Sequence, residues 1–194
     1  MPSFIAALSL LLPLALAQTE TDARFYTDEG CNNFAIACTN LAENTCCSVS
    51  KGGTVLYSSS DFYYTASGMG VTFNGNVFSI QGTVANDCNI VTCGNIRDSV
   101  CCEADTALSG ASYSTTNSKM MRKTRSAGGV AFADSYAWVE DDKSYYISHS
   151  NSTKMAAVEA MRSLGDFTNL GSFFKTHAEV VKSEAENTGK KAKL

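Results

Sequence analysis

The chain has 194 residues, a formal net charge of −4 at pH 7 and a pI near 5.1. That length allows one domain with an appendage. The mild acidity, with no basic stripe interleaved with aromatics, excludes nucleic acid as a partner on this composition.

Residues 1–17 read as a secretory signal peptide. Phe4 to Leu16 is almost wholly apolar, and Ala15-Leu16-Ala17 is a small-x-small cleavage site before Gln18, although the n-region lacks Lys and Arg. The apolar run is too short to span about 30 Å of hydrocarbon, and Pro13 interrupts it. No later stretch is long enough to cross a bilayer. The basic end Lys190-Lys191-Ala192-Lys193-Leu194 lacks the greasy tail of a lipid-anchor signal. The expected product is secreted and extracellular, with no membrane span in the mature chain.

Residues 18–108 read as a duplicated disulfide-rich β domain. Arg24-Phe25-Tyr26 begins the first strand, and Asp28-Glu29-Gly30 turns the chain into Cys31. Phe34, Ile36 and Cys38 alternate with small residues, as in a half-buried strand. Lys51-Gly52-Gly53 is a turn. Thr54 to Tyr57 and Phe62 to Thr65 are rich in β-branched and aromatic residues, so both read as strands. Val71 to Ile80 alternates around Asn74-Gly75, which predicts a tight hairpin there.

A spacing pattern occurs twice within this domain. Cys31-Asn32, Cys38, Asn40, Leu41 and Cys46-Cys47 are echoed by Cys88-Asn89, Cys93, Asn95, Ile96 and Cys101-Cys102. All 8 cysteines fall in the two copies. Secretion would deliver them to an oxidising compartment, where thiols pair and persist. Neighbours such as Cys46-Cys47 rarely bond to each other, so each should bond outward. Bonds within each copy are the favoured expectation, although the spacing does not fix the connectivity. Zinc is disfavoured, because the inner gaps are long and neither His149 nor His177 lies near a cysteine.

Residues 109–129 are dominated by Ser, Thr, Gly, Asn, Lys and Arg and read as a flexible linker. Arg122-Lys123 and Arg125 fit a processing site there, though an ordinary exposed linker is the commoner meaning. Residues 130–194 read as a β-hairpin plus a helical region. Tyr136 to Val139 and Ser144 to Ile147 flank the charged turn Glu140-Asp141-Asp142-Lys143. Met155, Val158, Met161 and Leu164 recur every third residue, and Gly165 is a stop. Ser172 offers a second N-cap, with Phe173, Phe174, His177, Val180 and Val181 on one apolar face.

No catalytic constellation emerges. His177 sits among apolar positions and reads as packed, whereas His149 follows a strand and reads as exposed. Nucleophile-elbow, metalloprotease and phosphate-loop motifs are missing, and Gly68-Met69-Gly70 precedes no helix. Consecutive carboxylates in a tight turn point apart, which suits solvation better than glycoside hydrolysis. Tyr57, Tyr63 and Tyr64 are candidates for an exposed aromatic binding patch, against the commoner use in sheet packing. Trp138 is a candidate for stacking on a sugar, against ordinary burial. Asn151-Ser152-Thr153 is a glycosylation sequon that overlaps a helix start, where Ser152 or Thr153 can serve as cap.

The leader, Arg24-Phe25-Tyr26, Gly30-Cys31, Cys38-x-Asn40 and Cys46-Cys47 together resemble fungal small secreted cysteine-rich proteins. The resemblance covers residues 18–108 and implies extracellular, effector-like action. Hydrophobins share the cysteine count but not the order. The twofold repeat looks like the duplicated Greek-key halves of βγ-crystallin-like toxins, as a fold analogy. The expected class is α+β: a small disulfide-rich antiparallel β-sandwich or barrel of two similar halves, followed by a β-hairpin and two C-terminal helices. The expected function is non-enzymatic binding of cell-wall carbohydrate or a host protein, without cofactor or metal. The alternative is a secreted toxin or inhibitor with a C-terminal pro-segment.

Overall fold

A computed structural model describes residues 20–49, 56–65, 71–80, 88–97, 100–117 and 129–183. The leader, the Lys51-Gly52-Gly53 turn, Thr54-Val55, Gly68-Met69-Gly70 and the basic cluster at Arg122, Lys123 and Arg125 lie outside these residues. Among the described residues, twelve strands and two helices follow in chain order. The first eight strands are β1 (Glu20–Tyr26), β2 (Asn33–Cys38), β3 (Thr45–Ser48), β4 (Ser59–Thr65), β5 (Val71–Ser79), β6 (Val91–Ile96), β7 (Cys102–Glu103) and β8 (Leu108–Asn117). The remainder is β9 (Gly129–Phe132), β10 (Ser135–Glu140), β11 (Lys143–Ser148), α1 (Ser152–Ser163), α2 (Phe167–His177) and β12 (Val180–Ser183). The fold is therefore α+β and mostly strand, in two packed sheets.

The repeat in the sequence is a repeat in space. The seven-stranded first sheet runs β12-β11-β10-β2-β1-β4-β7, and the five-stranded second sheet runs β6-β5-β8-β3-β9. Removing the additions leaves β2-β1-β4-β7 facing β6-β5-β8-β3. Each half is thus a four-strand unit whose third strand (β3 or β7) crosses into the other half's sheet. The backbone repeats with it. Cys31 and Cys88 have φ of 50° and 55°, and Asn40 and Asn95 have 50° and 57°. Asn tolerates this left-handed region better than most residues, which accounts for its presence at matching offsets. Leu41 and Ile96, which follow it, are both buried.

The disulfides obey the same symmetry. Cys38–Cys47 and Cys93–Cys102 lie within copies, each with a sequence separation of 9. Cys31–Cys101 and Cys46–Cys88 instead cross between copies, first cysteine to third, in both directions. The expectation of bonding within copies therefore holds for two of the four bonds. The exchange of β3 and β7 carries Cys46 and Cys101 into the partner sheet and explains the other two.

The hydrophobic core fills the space between the sheets. Phe73 packs at 5.3 Å from Phe62, 4.6 Å from Tyr64 and 5.3 Å from Tyr113, between ring centroids. Ala23, Phe25, Val77 and Leu108 complete it. Under β10 and β11 the same face receives Val158 of α1 and Leu170 and Phe174 of α2. These helices are too short to stand alone and depend on that packing. Asn151 caps α1 by accepting from the Lys154 N–H at 3.2 Å, and Asp166 caps α2 by accepting from the Asn169 N–H at 3.3 Å. Gly165, at φ 69°, ends the first helical segment as the stop signal predicts.

The first sheet also curls. Five strand spacings separate β12 from β4, about 24 Å if flat at about 4.8 Å each. Yet the Tyr63 hydroxyl of β4 lies 3.4 Å from the Ser183 carbonyl of β12, and the Lys182 ammonium lies 2.8 Å from Asp22 on β1. The small residues Ala35, Ala37 and Ala137 line the concave face, where they leave room for the closure.

Several sequence expectations are overturned. Asn74-Gly75 makes no turn: β5 runs straight through it, paired with β8 along its length. Gly75 serves a close approach, since a Cβ there would sit 2.4 Å from Cε2 of Phe62. The linker does not begin at Ser109, because residues 108–117 form β8 in the middle of the second sheet. Its Ser112 and Ser114 face Asn76 and Asn74 across the strand, so a polar composition reflects one solvated face. Residues 130–194 do not stand apart from residues 18–108, because β10 pairs with β2. Val180 and Val181 extend no helix: Ala178 turns extended at ψ 141°, and β12 pairs with β11. Ser172 lies inside α2 rather than at its cap. The hairpin at Asp141-Asp142 is as predicted, and both residues take positive φ (52° and 56°), as a type I′ turn requires.

Candidate functional site

The site builds from the loop between β1 and β2. Gly30, Cys31 and Asn33 have φ of 88°, 50° and 64°, three left-handed residues within four positions. Such backbone persists only where the surroundings hold it. Here Cys31–Cys101 ties one end, and the Ser59 hydroxyl donates to the Asp28 carbonyl at 2.6 Å. The loop presents Thr27, Asp28 and Asn33 to solvent, with the Asn33 amide 3.5 Å from the Asp28 carboxylate.

Beside the loop, Phe34 of β2 and Trp138 of β10 are cross-strand partners. Trp138 is held from two directions. Its indole lies on Gly171 of α2, where a Cβ would meet the ring at 2.7 Å. Its Nε1–H donates to Glu140 at 2.8 Å, and Glu140 pairs with Lys175 at 2.8 Å. Those bonds from Lys175 and Trp138 hold the Glu140 carboxyl below its ordinary range. Phe167, the first residue of α2, remains 48% exposed. With Thr168 it closes a cleft of about 440 Å³ against Phe34, Trp138 and the β1–β2 loop. That volume lies within the range of small-molecule sites, about 300–1,000 Å³. The lining combines the aromatic groups of Phe34, Trp138 and Phe167 with hydroxyl, amide and carboxylate groups at the lip, and among the described residues it includes no cationic side chain.

A second polar cluster lies on the concave face of the first sheet. Arg24, fully buried, makes a two-pronged contact with Asp61 at 2.7 and 2.6 Å, and donates to Ser144 at 2.5 Å. Tyr26 donates to Asp61 at 3.1 Å. Burial opposes the Arg24 charge, but Asp61, Tyr26 and Tyr146 together outweigh it, and the guanidinium is held protonated above its usual value. Lys182 sits over the rings of Tyr63 and Tyr146 at 5.3 and 5.5 Å.

A third group surrounds α1. Tyr136 donates to Glu159, which pairs with Arg162 at 3.5 Å. Burial and that acceptor push the Tyr136 hydroxyl well above its usual value. His149 lies edge-on to Tyr136 at 4.6 Å, and burial lowers its basicity against the opposing pull of Asp134 and Glu159.

The residues singled out from sequence are scattered. Tyr57 and Tyr64 are buried in the intersheet core, whereas Tyr63 faces the concave side, because neighbours on a strand point to opposite faces. They form no exposed patch. Trp138 is 6% exposed, too buried to offer its face, yet it lines the cleft. Asn151 itself caps α1, rather than Ser152 or Thr153, and its amide donates to Glu179 at 2.7 Å. His149 is half-buried rather than exposed, and His177 is exposed, its ring tilted against Phe173 at 4.5 Å. Asp28, Asn33, Phe34 and Phe167 were not singled out. The readable signals were the Asn-rich run after Gly30-Cys31, prone to left-handed backbone, and an aromatic directly after the capping Asp166.

Two interlocked four-strand halves laced by reciprocal disulfides define a cysteine-rich double Greek-key domain. Residues 22–144 match the ARB_05566_N family, an N-terminal domain, over more than half of the chain, which therefore belongs to that family. No curated protein and no solved structure matches it. The family match ends inside β11, so the cleft has one wall within it and another, Phe167 and Thr168, beyond it. Among the described residues, no helix is long and apolar enough to cross a membrane.

Proposed function

We propose that this chain is a secreted, non-enzymatic binding module that acts outside the cell, at a cell wall or host surface. Four disulfides suit an oxidising compartment, and the leader-like residues 1–17 suit export. The observation that carries the reading is the cleft between the β1–β2 loop and α2. It has an aromatic wall, a rigidly held lip and an exposed aromatic at its mouth. Its lining offers one carboxylate and, among the described residues, no Lys, His or Cys, so the Thr27 and Thr168 hydroxyls lack the imidazole or amine base that usually activates such a nucleophile. That is chemistry for holding a ligand rather than turning it over.

The pro-segment alternative is weakened by the position of β10. Cleavage near Arg125 would leave β10 hydrogen-bonded between β2 and β11 in the first sheet, so no segment would simply fall away.

The test is retention of the purified disulfide-bonded chain on isolated wall polysaccharide and on immobilised extracellular protein. Saturable retention that weakens at least tenfold in Phe167→Ala is expected. Retention indifferent to that change, or turnover of a substrate that depends on Asp28, defeats the proposal.

A further inference from the structure

Resting on the binding-module reading above, we infer that the cleft takes an uncharged pyranose sugar, the terminal unit of a glycan. Phe167 would cover the sugar's apolar face, and Asp28 and Asn33 would hold its neighbouring hydroxyls.

Three observations select this ligand class. The first is charge. The lining carries one carboxylate and no Lys, Arg or His, and the whole chain has a net charge of −4. Sulfated, phosphorylated and uronic sugars would meet repulsion from Asp28, and the guanidinium of Arg162, 5.5 Å over the Phe34 ring, is already paired with Glu159. The second is the division of the surface. A pyranose has one face of C–H groups and a rim of hydroxyls. The cleft matches it with aromatic groups on one side and, on the other, an acceptor-only carboxylate beside an amide that both donates and accepts. An apolar peptide or lipid would leave that carboxylate facing hydrocarbon, at a desolvation cost.

The third is preorganisation. The Asp28–Asn33 lip is fixed before any ligand arrives, by a disulfide at Cys31, by the Ser59 hydroxyl on the Asp28 carbonyl and by left-handed backbone at Gly30, Cys31 and Asn33. Sugars pair weak individual contacts with a high cost of ordering, so a lip already in place favours them. Trp138 acts differently from Phe167. Pinned on Gly171 and bonded to Glu140, it forms a wall and does not stack.

The chain contains a single Trp, and it lines this cleft, so a fluorescence change on adding sugar to the folded chain reports on the cleft. The intact disulfide-bonded chain is titrated with glucose, mannose, galactose and N-acetylglucosamine and their short oligomers. Glucuronate, glucosamine and an amphipathic peptide are run alongside. A saturable change in Trp138 fluorescence with at least one neutral sugar is expected, with affinity tenfold weaker in Phe167→Ala and in Asp28→Asn. Both variants should melt within a few degrees of the parent, since both positions are exposed. No response to any neutral sugar overturns the inference, as does a response confined to charged sugars or one untouched by both substitutions. A response to the peptide alone also overturns it but leaves the binding module standing. Phe167-independent retention in the preceding test defeats the module itself.

Discussion

Replacing Gly75 by Ala tests the packing of the intersheet core at its tightest point. The added Cβ would lie 2.4 Å from Cε2 and 2.7 Å from Cδ2 of Phe62. Ordinary carbon contacts are about 3.5–4.0 Å, so the ring must retreat by about 1 Å. It has little room, because Phe73 stands 5.3 Å away on its other contacts and is itself packed against Tyr64 and Tyr113. Overpacking of this kind costs about 1–3 kcal/mol. Ala recovers about 0.5–1 kcal/mol because it is less free than Gly in the unfolded chain. A net loss of about 1–2 kcal/mol follows. Guanidinium unfolding with disulfides intact, read by Trp138 fluorescence, measures it. The decisive comparison is the same substitution in a Phe62→Val background, which removes the ring. There Gly75→Ala should be neutral or slightly stabilising, a coupling of at least 1 kcal/mol. An equal cost in both backgrounds would mean that Gly75 is needed for its backbone freedom, and the packing argument would fall.

The crossed disulfides close loops of 70 and 42 residues, against 9 for the local pair. On the chain-entropy model, removing Cys46–Cys88 should cost about 4 kcal/mol and removing Cys38–Cys47 about 2.5 kcal/mol, measured by denaturant titration. Non-reducing peptide mapping should recover the crossed pairs, and finding Cys31 joined to Cys38, Cys46 or Cys47 refutes the pairing. Asp61→Asn leaves a buried guanidinium without its carboxylate and should cost about 3–5 kcal/mol, whereas Arg24→Met with Asp61→Leu should recover much of it; equal melting of the two variants counts against a buried pair. His149 binds its proton less readily folded than unfolded, so the unfolded state gains protons first as pH falls. Stability should be full above the ordinary His value near about 6.5 and decline below it. A His149→Gln variant should show a flatter melting profile between neutral and mildly acidic pH, and an unchanged slope refutes the assignment. Asn151→Ala removes both the α1 cap and the bond to Glu179 and should cost about 1 kcal/mol in thermal unfolding.

What could be read from the sequence was whatever depends on local spacing. The duplicated cysteine pattern was legible because each copy repeats the same backbone, down to left-handed Asn40 and Asn95. The two short disulfides met the expectation of bonds within each copy, although spacing does not fix which cysteines pair. The two long ones did not, because they depend on β3 and β7 changing sheets, which leaves no trace in spacing. Asn74-Gly75 misled because glycine serves two needs, positive φ and missing volume, and the pair of letters does not say which. The Ser/Thr stretch of β8 looked like linker because only alternate residues, such as Ala111 and Tyr113, face the core. Val180 and Val181 kept helical spacing with His177, but Val-Val at a sheet margin pairs with β11 instead. The cleft was hidden for a different reason. Its members come from positions 27–34, 138 and 167–168, and only the docking of α2 on β10 brings them together.

Exchange of the third strands has a consequence for how long the molecule survives among proteases. A single backbone cut anywhere between residues 48 and 87 separates the two cysteine quartets in sequence. The fragments nevertheless remain shackled through Cys31–Cys101 and Cys46–Cys88. Neither fragment holds a full sheet by itself, since each sheet borrows a strand from the other, so the nicked molecule has no route to drifting apart. A chain built this way tolerates damage that would dismantle two halves merely set side by side.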